Sequence, residues 1–226
     1  MSELTPKQAC ELCLALYGFP DAPPVAWAAK GTCGPVYWGL ARDYAGSGSD
    51  AVVFRGSTTP LDFARDLLVT PTPFTHPSLG PIHAGFWQGM EGATQAIYPL
   101  LRQAPTPIIA TGHSLGGAHA ALFAGILASN SLPNHKTHVA KITFGEPRPA
   151  LTLHLRLVLT DSGVEQLTYV NQGGFIGDIV PALPPGYRAS TNTFDILHAS
   201  PHGIIRLLWG PLAPHHLSFY YEGLSP

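Results

Sequence analysis

The sequence predicts an α/β fold with a mostly parallel, twisted central sheet flanked by helices, on three observations. Short β-branched, apolar runs alternate along the chain with longer stretches of helical character. The run Thr106–Thr111 is apolar and β-branched, as expected of a parallel strand covered on both faces. The 24 Gly and 23 Pro are spread along 226 residues without a repeat, so they read as tight loops between elements.

The elements follow in order. Residues 5–17 read as an amphipathic helix with Thr5 as N-cap and Pro6 at the first helical position. Val36–Arg42 and Asp50–Arg55 read as strands, joined into a hairpin through Gly46-Ser47-Gly48-Ser49. Residues 58–82 hold five prolines and read as a long surface excursion with a short helix near Leu61–Leu68; long ordered loops tend to be functional. Ile82–Leu101 reads as a helix, Thr106–Thr111 as a strand and Leu115–Ser129 as an Ala/Leu-rich helix. Val139–Phe144 and Glu165–Val170 read as further strands. Loops dominate 171–203, and 215–222 reads as a final helical piece. Neither an internal repeat nor a linker is visible, so a single domain over 1–226 is expected.

Composition narrows the function. Hydrophobic residues make up 45% and charged residues 12%, which argues against disorder. The net charge of -2 carries no basic excess for nucleic acid, and no Lys/Arg run marks an anionic membrane surface. No apolar run reaches the roughly 18 residues of a membrane span. The N-terminus lacks the basic and apolar regions of a secretory signal. A cytoplasmic location is the default expectation, with secretion by another route or after removal of a signal as the alternative. Cys10 and Cys13 form a CxxC without a second Cys/His pair at zinc spacing, and Cys33 stands alone. They read as two buried helix residues and a free thiol.

The chemistry is concentrated in Thr111-Gly112-His113-Ser114-Leu115-Gly116-Gly117, which holds GxSxG between an apolar strand and an Ala-rich helix. A nucleophile at a sharp strand-to-helix turn projects its hydroxyl outward. Bulky residues two positions to either side would collide with neighbours, hence Gly112 and Gly116. The helix start also places the Leu115 N–H where an oxyanion would form. Ser114 is therefore the candidate nucleophile, and the His113 side chain is expected to point away from it.

A serine needs a base, and the base needs an orienting carboxylate. On this architecture the chain order is Ser, then Asp/Glu, then His. Asp178, in Gly177-Asp178-Ile179-Val180-Pro181, follows a strand, where a side chain can face a site at the strand's carboxyl end. Asp161 and Glu165 flank that strand at its other end, and Asp195 is the runner-up. Order leaves His198, His202, His215 and His216 as bases.

The chain resembles the class 3 lipase family of fungal-type lipases over roughly residues 35–222. The resemblance rests on six short segments in the same order. They are Val53-Phe54-Arg55-Gly56-Ser57, Ile82-His83-Ala84-Gly85-Phe86, the Gly112–Gly117 elbow and Thr143-Phe144-Gly145-Glu146-Pro147-Arg148. Asp178-Ile179-Val180-Pro181 with Leu183-Pro184-Pro185, and a C-terminal His segment, complete the set. It implies an α/β-hydrolase fold and a Ser-His-Asp hydrolase of carboxylic esters, a lipase or esterase acting on acylglycerols or related lipids without metal or organic cofactor. It implies Asp178 as the acid. It implies the oxyanion donors Ser57, by its amide and often its hydroxyl, and Leu115. The family's H-x-[LM]-x-x-Y pattern fits His215 with Leu217 and Tyr220. His216 fits less well, because Ser218 takes the apolar position. The resemblance also implies a lid, for which 58–77 is the candidate segment and a transient contact with a lipid surface the consequence; a fixed loop is the alternative. After Pro147-Arg148 the family often continues Val-Gly, whereas this chain has Pro149-Ala150. On the same triad the alternatives are a phospholipase A1, a feruloyl-type esterase or an acyltransferase. A non-catalytic lipid- or partner-binding domain is the rival from another class.

Overall fold

The computed structural model describes residues 4–57, 73–101, 106–129, 138–173, 177–199 and 215–224. A seven-stranded sheet runs through it. Its strands are β1 (Trp27–Cys33), β2 (Val36–Arg42), β3 (Asp50–Arg55), β6 (Ile108–His113), β7 (Val139–Phe144), β8 (Glu165–Asn171) and β9 (Asp195–Leu197), in that spatial order. The first three are antiparallel neighbours; β3, β6, β7, β8 and β9 are parallel. A separate two-stranded sheet pairs β4 (Pro73–His76) with β5 (Gly80–His83).

Strand alternation sends side chains to two cores, one on each face of the sheet. From β3, Val52 and Phe54 enter one core while Ala51 and Val53 enter the other. The first core is covered by α2 (Ala84–Trp87), α3 (Met90–Leu101), α4 (Leu115–Ser129) and α5 (His154–Asp161); the second by α1 (Pro6–Tyr17) and α6 (Leu217–Gly223). In α4 every residue from Leu115 to Leu127 is buried. That explains its apolar sequence on all sides, because a helix wrapped by protein has no polar face to keep.

Helix α1 starts as the sequence predicts. Thr5 accepts from the Gln8 amide, and the Gln8 side chain returns a bond to the Thr5 amide. Cys10 and Cys13 are buried in it, unbridged. The expected hairpin forms between β2 and β3.

Other expectations need correction. The helix expected over 82–101 is broken. Ile82 and His83 belong to β5, α2 is one turn long, and Gly89 interrupts the run at φ +85°. A Cβ at Gly89 would stand 2.0 Å from the Cys33 carbonyl oxygen, so close passage of the β1–β2 turn fixes the break. Strand β6 starts at Ile108 and continues to His113, two residues later at each end than expected. Strands β1 and β9 and helix α5 were not expected. The proposed helix Leu61–Leu68 lies outside the described residues, as does the lid segment 58–77 up to residue 72; from Pro73 that segment is strand β4.

Candidate active site

The parallel register brings four strand ends to one edge of the sheet: Phe54 pairs with Gly112, His113 with Phe144, and Phe144 with Tyr169. In open α/β sheets, sites form at this carboxyl edge. Here it carries Gly56 and Ser57 after β3, Ser114 after β6, Gly145 after β7 and Asp178 after β8.

Ser114 is held at φ +59°, one of few non-glycine residues in the left-handed region. Such a conformation costs about 1–2 kcal/mol for a residue with a Cβ. Backbone packing enforces it. The Ser114 amide donates to the Phe144 carbonyl (2.9 Å), and its own carbonyl accepts from Gly117 (2.8 Å) as α4 begins. A Cβ on Gly112 would lie 2.2 Å from the Gly116 oxygen, and one on Gly116 would lie 2.1 Å from the Phe54 oxygen. The elbow therefore closes on itself and against β3, so neither position admits a side chain.

Asp178 is fixed by its amide, which donates to Asn171 at the end of β8 (2.7 Å). Its Oδ1 accepts from the Val180 amide (2.9 Å). Its Oδ2 accepts from His215 Nδ1 (2.7 Å) and from the Tyr220 hydroxyl. Tyr220 sits one turn into α6, and its oxygen accepts from the Asn171 amide (3.2 Å), which aims its proton at Asp178. With Nδ1–H committed to the carboxylate, His215 presents Nε2 as an acceptor.

Ser114 Oγ and His215 Nε2 are both buried and, among the described residues, without a hydrogen-bond partner. A buried polar atom left unbonded costs about 1–3 kcal/mol. Both lie at one edge of the sheet.

His113 is part of the frame around these groups. Its Nε2 donates to the His215 carbonyl (2.7 Å), its Nδ1 accepts from the Tyr17 hydroxyl (3.2 Å), and its ring lies 4.6 Å from that of His215. Burial first, and then the neighbouring His215, push its pKa well below the usual histidine value, so it stays neutral. Tyr17 arrives from the last turn of α1, and a Cβ on Gly56 would meet its hydroxyl at 2.5 Å. Gly145, at φ +58°, supplies the remaining wall: a Cβ there would stand 2.7 Å from His215 Cε1 and 2.9 Å from Asp178 Oδ2.

The other predicted residues are placed as follows. Leu115 is the first residue of α4, where helix amides have no intrahelical acceptor. Ser57 follows Gly56, where a Cβ would meet Ser114 Cβ at 3.0 Å, so the chain before Ser57 passes against Ser114. Asp178 is bonded to His215, and His216 has another role. It caps α6, its Nδ1 bonded to Ser218 (2.8 Å), and burial and His215 lower its pKa to about 4. Asp195 is exposed on β9. Tyr17 carried no sequence signal of its own, and His113 and Gly145 stood inside quoted motifs without a role, because each acts through an approach between distant segments. Tyr220 was visible only as the aromatic of the histidine pattern.

Comparison with known proteins follows the same segments. The family model "Lipase (class 3)" matches residues 51–187, more than half of the chain. A lipase of Rhizomucor miehei is 31% identical over 153 residues, which cover 66% of this chain and 39% of that lipase. The chain thus spans about two fifths of the length of that relative. The solved triacylglyceride lipase of Rhizomucor miehei superposes with a TM-score of 0.63 at 23% identity, covering 85% of this chain and 76% of that one. A lipase of Rhizopus microsporus var. chinensis superposes at 0.66 with 21% identity, over 78% and 67%. Those two likenesses establish the α/β-hydrolase fold, and the matched span runs from β3 through the serine elbow and Asp178. On that sheet, that elbow and that match, the chain belongs to the class 3 lipase family.

Proposed function

We propose that the chain is a serine hydrolase that cleaves carboxylic esters of lipids through an acyl-enzyme. The observation that carries this reading is Ser114, strained and with its Oγ unbonded among the described residues, at the same sheet edge as a His215–Asp178 pair whose Nε2 is also unbonded there. In this reading His215 Nε2 takes the Ser114 proton as Oγ attacks the ester carbonyl. Asp178 holds the tautomer and stabilises the imidazolium that forms. The tetrahedral oxyanion is held by the Ser57 and Leu115 amides, with the Ser57 hydroxyl as a third donor; one such donor is worth about 3–4 kcal/mol. His215 returns the proton to the departing alcohol. It then takes one from water, which attacks the acyl-enzyme and releases the acid.

Catalytic hydrogen bonds are often long in unliganded enzymes and tighten in the complex, so the missing Ser114–His215 bond is compatible with this chemistry. A lipid ester is the substrate class that family membership supports.

A fluorophosphonate probe tests the reading. The expected result is one adduct per chain, mapped by mass spectrometry to the peptide containing Ser114, with loss of p-nitrophenyl butyrate turnover in proportion to labelling. Full labelling at another residue, or turnover that survives labelling of Ser114, would overturn it.

A further inference from the structure

A cleft of about 550 Å³ opens between the ends of β8 and β9 and the loop 179–192. Three arginines from separate parts of the chain line it: Arg148 after β7, Arg156 on α5 and Arg188 in the loop. Among the described residues none of the three is paired with a carboxylate.

The arginines are held in place by backbone. Arg148 Nε donates to the Pro181 carbonyl (3.3 Å), and Arg156 Nε and Nη2 donate to the Ala189 carbonyl (3.3 and 3.1 Å). Arg188 is bridged in both directions to Ala150. These bonds use only part of the five-donor set of a guanidinium. Asp178 also lines the cleft, but its oxygens are bonded to the Val180 amide, His215 Nδ1 and the Tyr220 hydroxyl rather than to an arginine, while partial burial and the Arg188 charge both work against the charge on Arg156. Planar guanidinium forks match carboxylate and phosphate oxygens. The same cleft is lined by Phe194 and Ile196, which are 40% and 56% exposed. A cationic floor with an apolar flank fits a molecule that is anionic at one end and apolar at the other.

We propose that this cleft binds the oxyanion head of a single-chain amphiphile, a phosphate or a carboxylate, against Arg148, Arg156 and Arg188, with its chain on Phe194 and Ile196. The cleft borders the Ser114 edge through Asp178, which lines both, and the proposal stands whether or not Ser114 is a nucleophile.

Calorimetric titration of the whole chain tests it with three probes that carry no ester: inorganic phosphate, dodecyl phosphate and decanoate, each below its micellar concentration. Saturable binding of dodecyl phosphate or decanoate is expected, about tenfold weaker in Arg188→Gln and weaker again in Arg156→Gln/Arg188→Gln. The preferred probe identifies the head as phosphate or carboxylate. Ile196→Ser should weaken both amphiphiles and leave inorganic phosphate unaffected. Arg188 is exposed and its backbone makes the bridge, so Arg188→Gln should melt as the parent does. Three results would overturn the proposal: no saturable binding of either amphiphile, equal affinity in Arg188→Gln, or inorganic phosphate as tight as dodecyl phosphate.

Discussion

Gly145 shows how closely the reacting groups are confined. It has no catalytic atom, yet a single methyl there would press on both His215 and Asp178. Gly145→Ala should lower kcat about 100-fold, the scale of a misplacement near 1 Å. It should also cost about 1–2 kcal/mol of stability for the left-handed backbone. Steady-state kinetics and urea melts check both; an unchanged kcat would show that His215 is not the reacting base. Asp178→Asn should leave the fold in place and lower kcat by about 10⁴, because the amide favours the wrong imidazole tautomer. At this scale the sequence shows what is local. Gly112, Ser114 and Gly116 lie within one turn, and their types state the steric requirement. Asp178 and His215 could be ordered but not joined; the pattern favours His215 over His216, and the 2.7 Å contact adds the geometry. Tyr17 and His113 meet across 96 residues, which no local pattern reports.

At the scale of elements, β7 carries a feature hidden in its apolar run. Lys141 is fully buried and donates to Glu146 (2.8 Å), Thr168 (2.9 Å) and Ser190 (2.7 Å). Glu146 also accepts from Thr143 and Ser190. The network ties β7, β8 and the loop before β9 directly behind Gly145. Removing one partner of a buried pair strands the other charge. Lys141→Met should therefore destabilise by about 3–5 kcal/mol, and Lys141→Met/Glu146→Gln should recover part of that loss. Chemical denaturation of the two variants checks the order; equal stability of both would argue against an ion pair. Elements with a clear cap or a long apolar run were legible: α1, β7 and α4. Strand β1 was not, because as an edge strand it is only half-covered and its Ala, Gly and Lys residues carry little β signal. Strand β9 is three residues long, too short for a pattern. The break near Gly89 depends on a loop from elsewhere in the sheet.

The whole molecule holds several neutral histidines inside. His119 on α4 is fully buried with both ring nitrogens unpartnered among the described residues, and burial lowers its pKa to about 3. His113 and His216 are lowered as well. The unfolded chain takes up protons near the ordinary histidine value of about 6.5, while the folded chain does not. Their stabilising contribution is therefore complete above that value and lost as pH falls toward the folded-state values. At pH 5 the loss for His119 alone is about 2 kcal/mol. Melting temperature should fall between pH 7 and pH 5, and His119→Leu should flatten that fall. A parallel decline in the variant would place the acid sensitivity elsewhere. Charge at this scale was only partly legible. Arg148, Arg156 and Arg188 are spread over 40 residues of sequence, and the fold alone gathers them into one cleft. The central claim remains the reacting serine. Its most direct test is the turnover of Ser114→Ala on p-nitrophenyl butyrate, with circular dichroism to confirm the fold. The account predicts a fall in kcat on the order of 10⁵-fold or more. A folded Ser114→Ala protein that turns over the ester at the parent rate would contradict it.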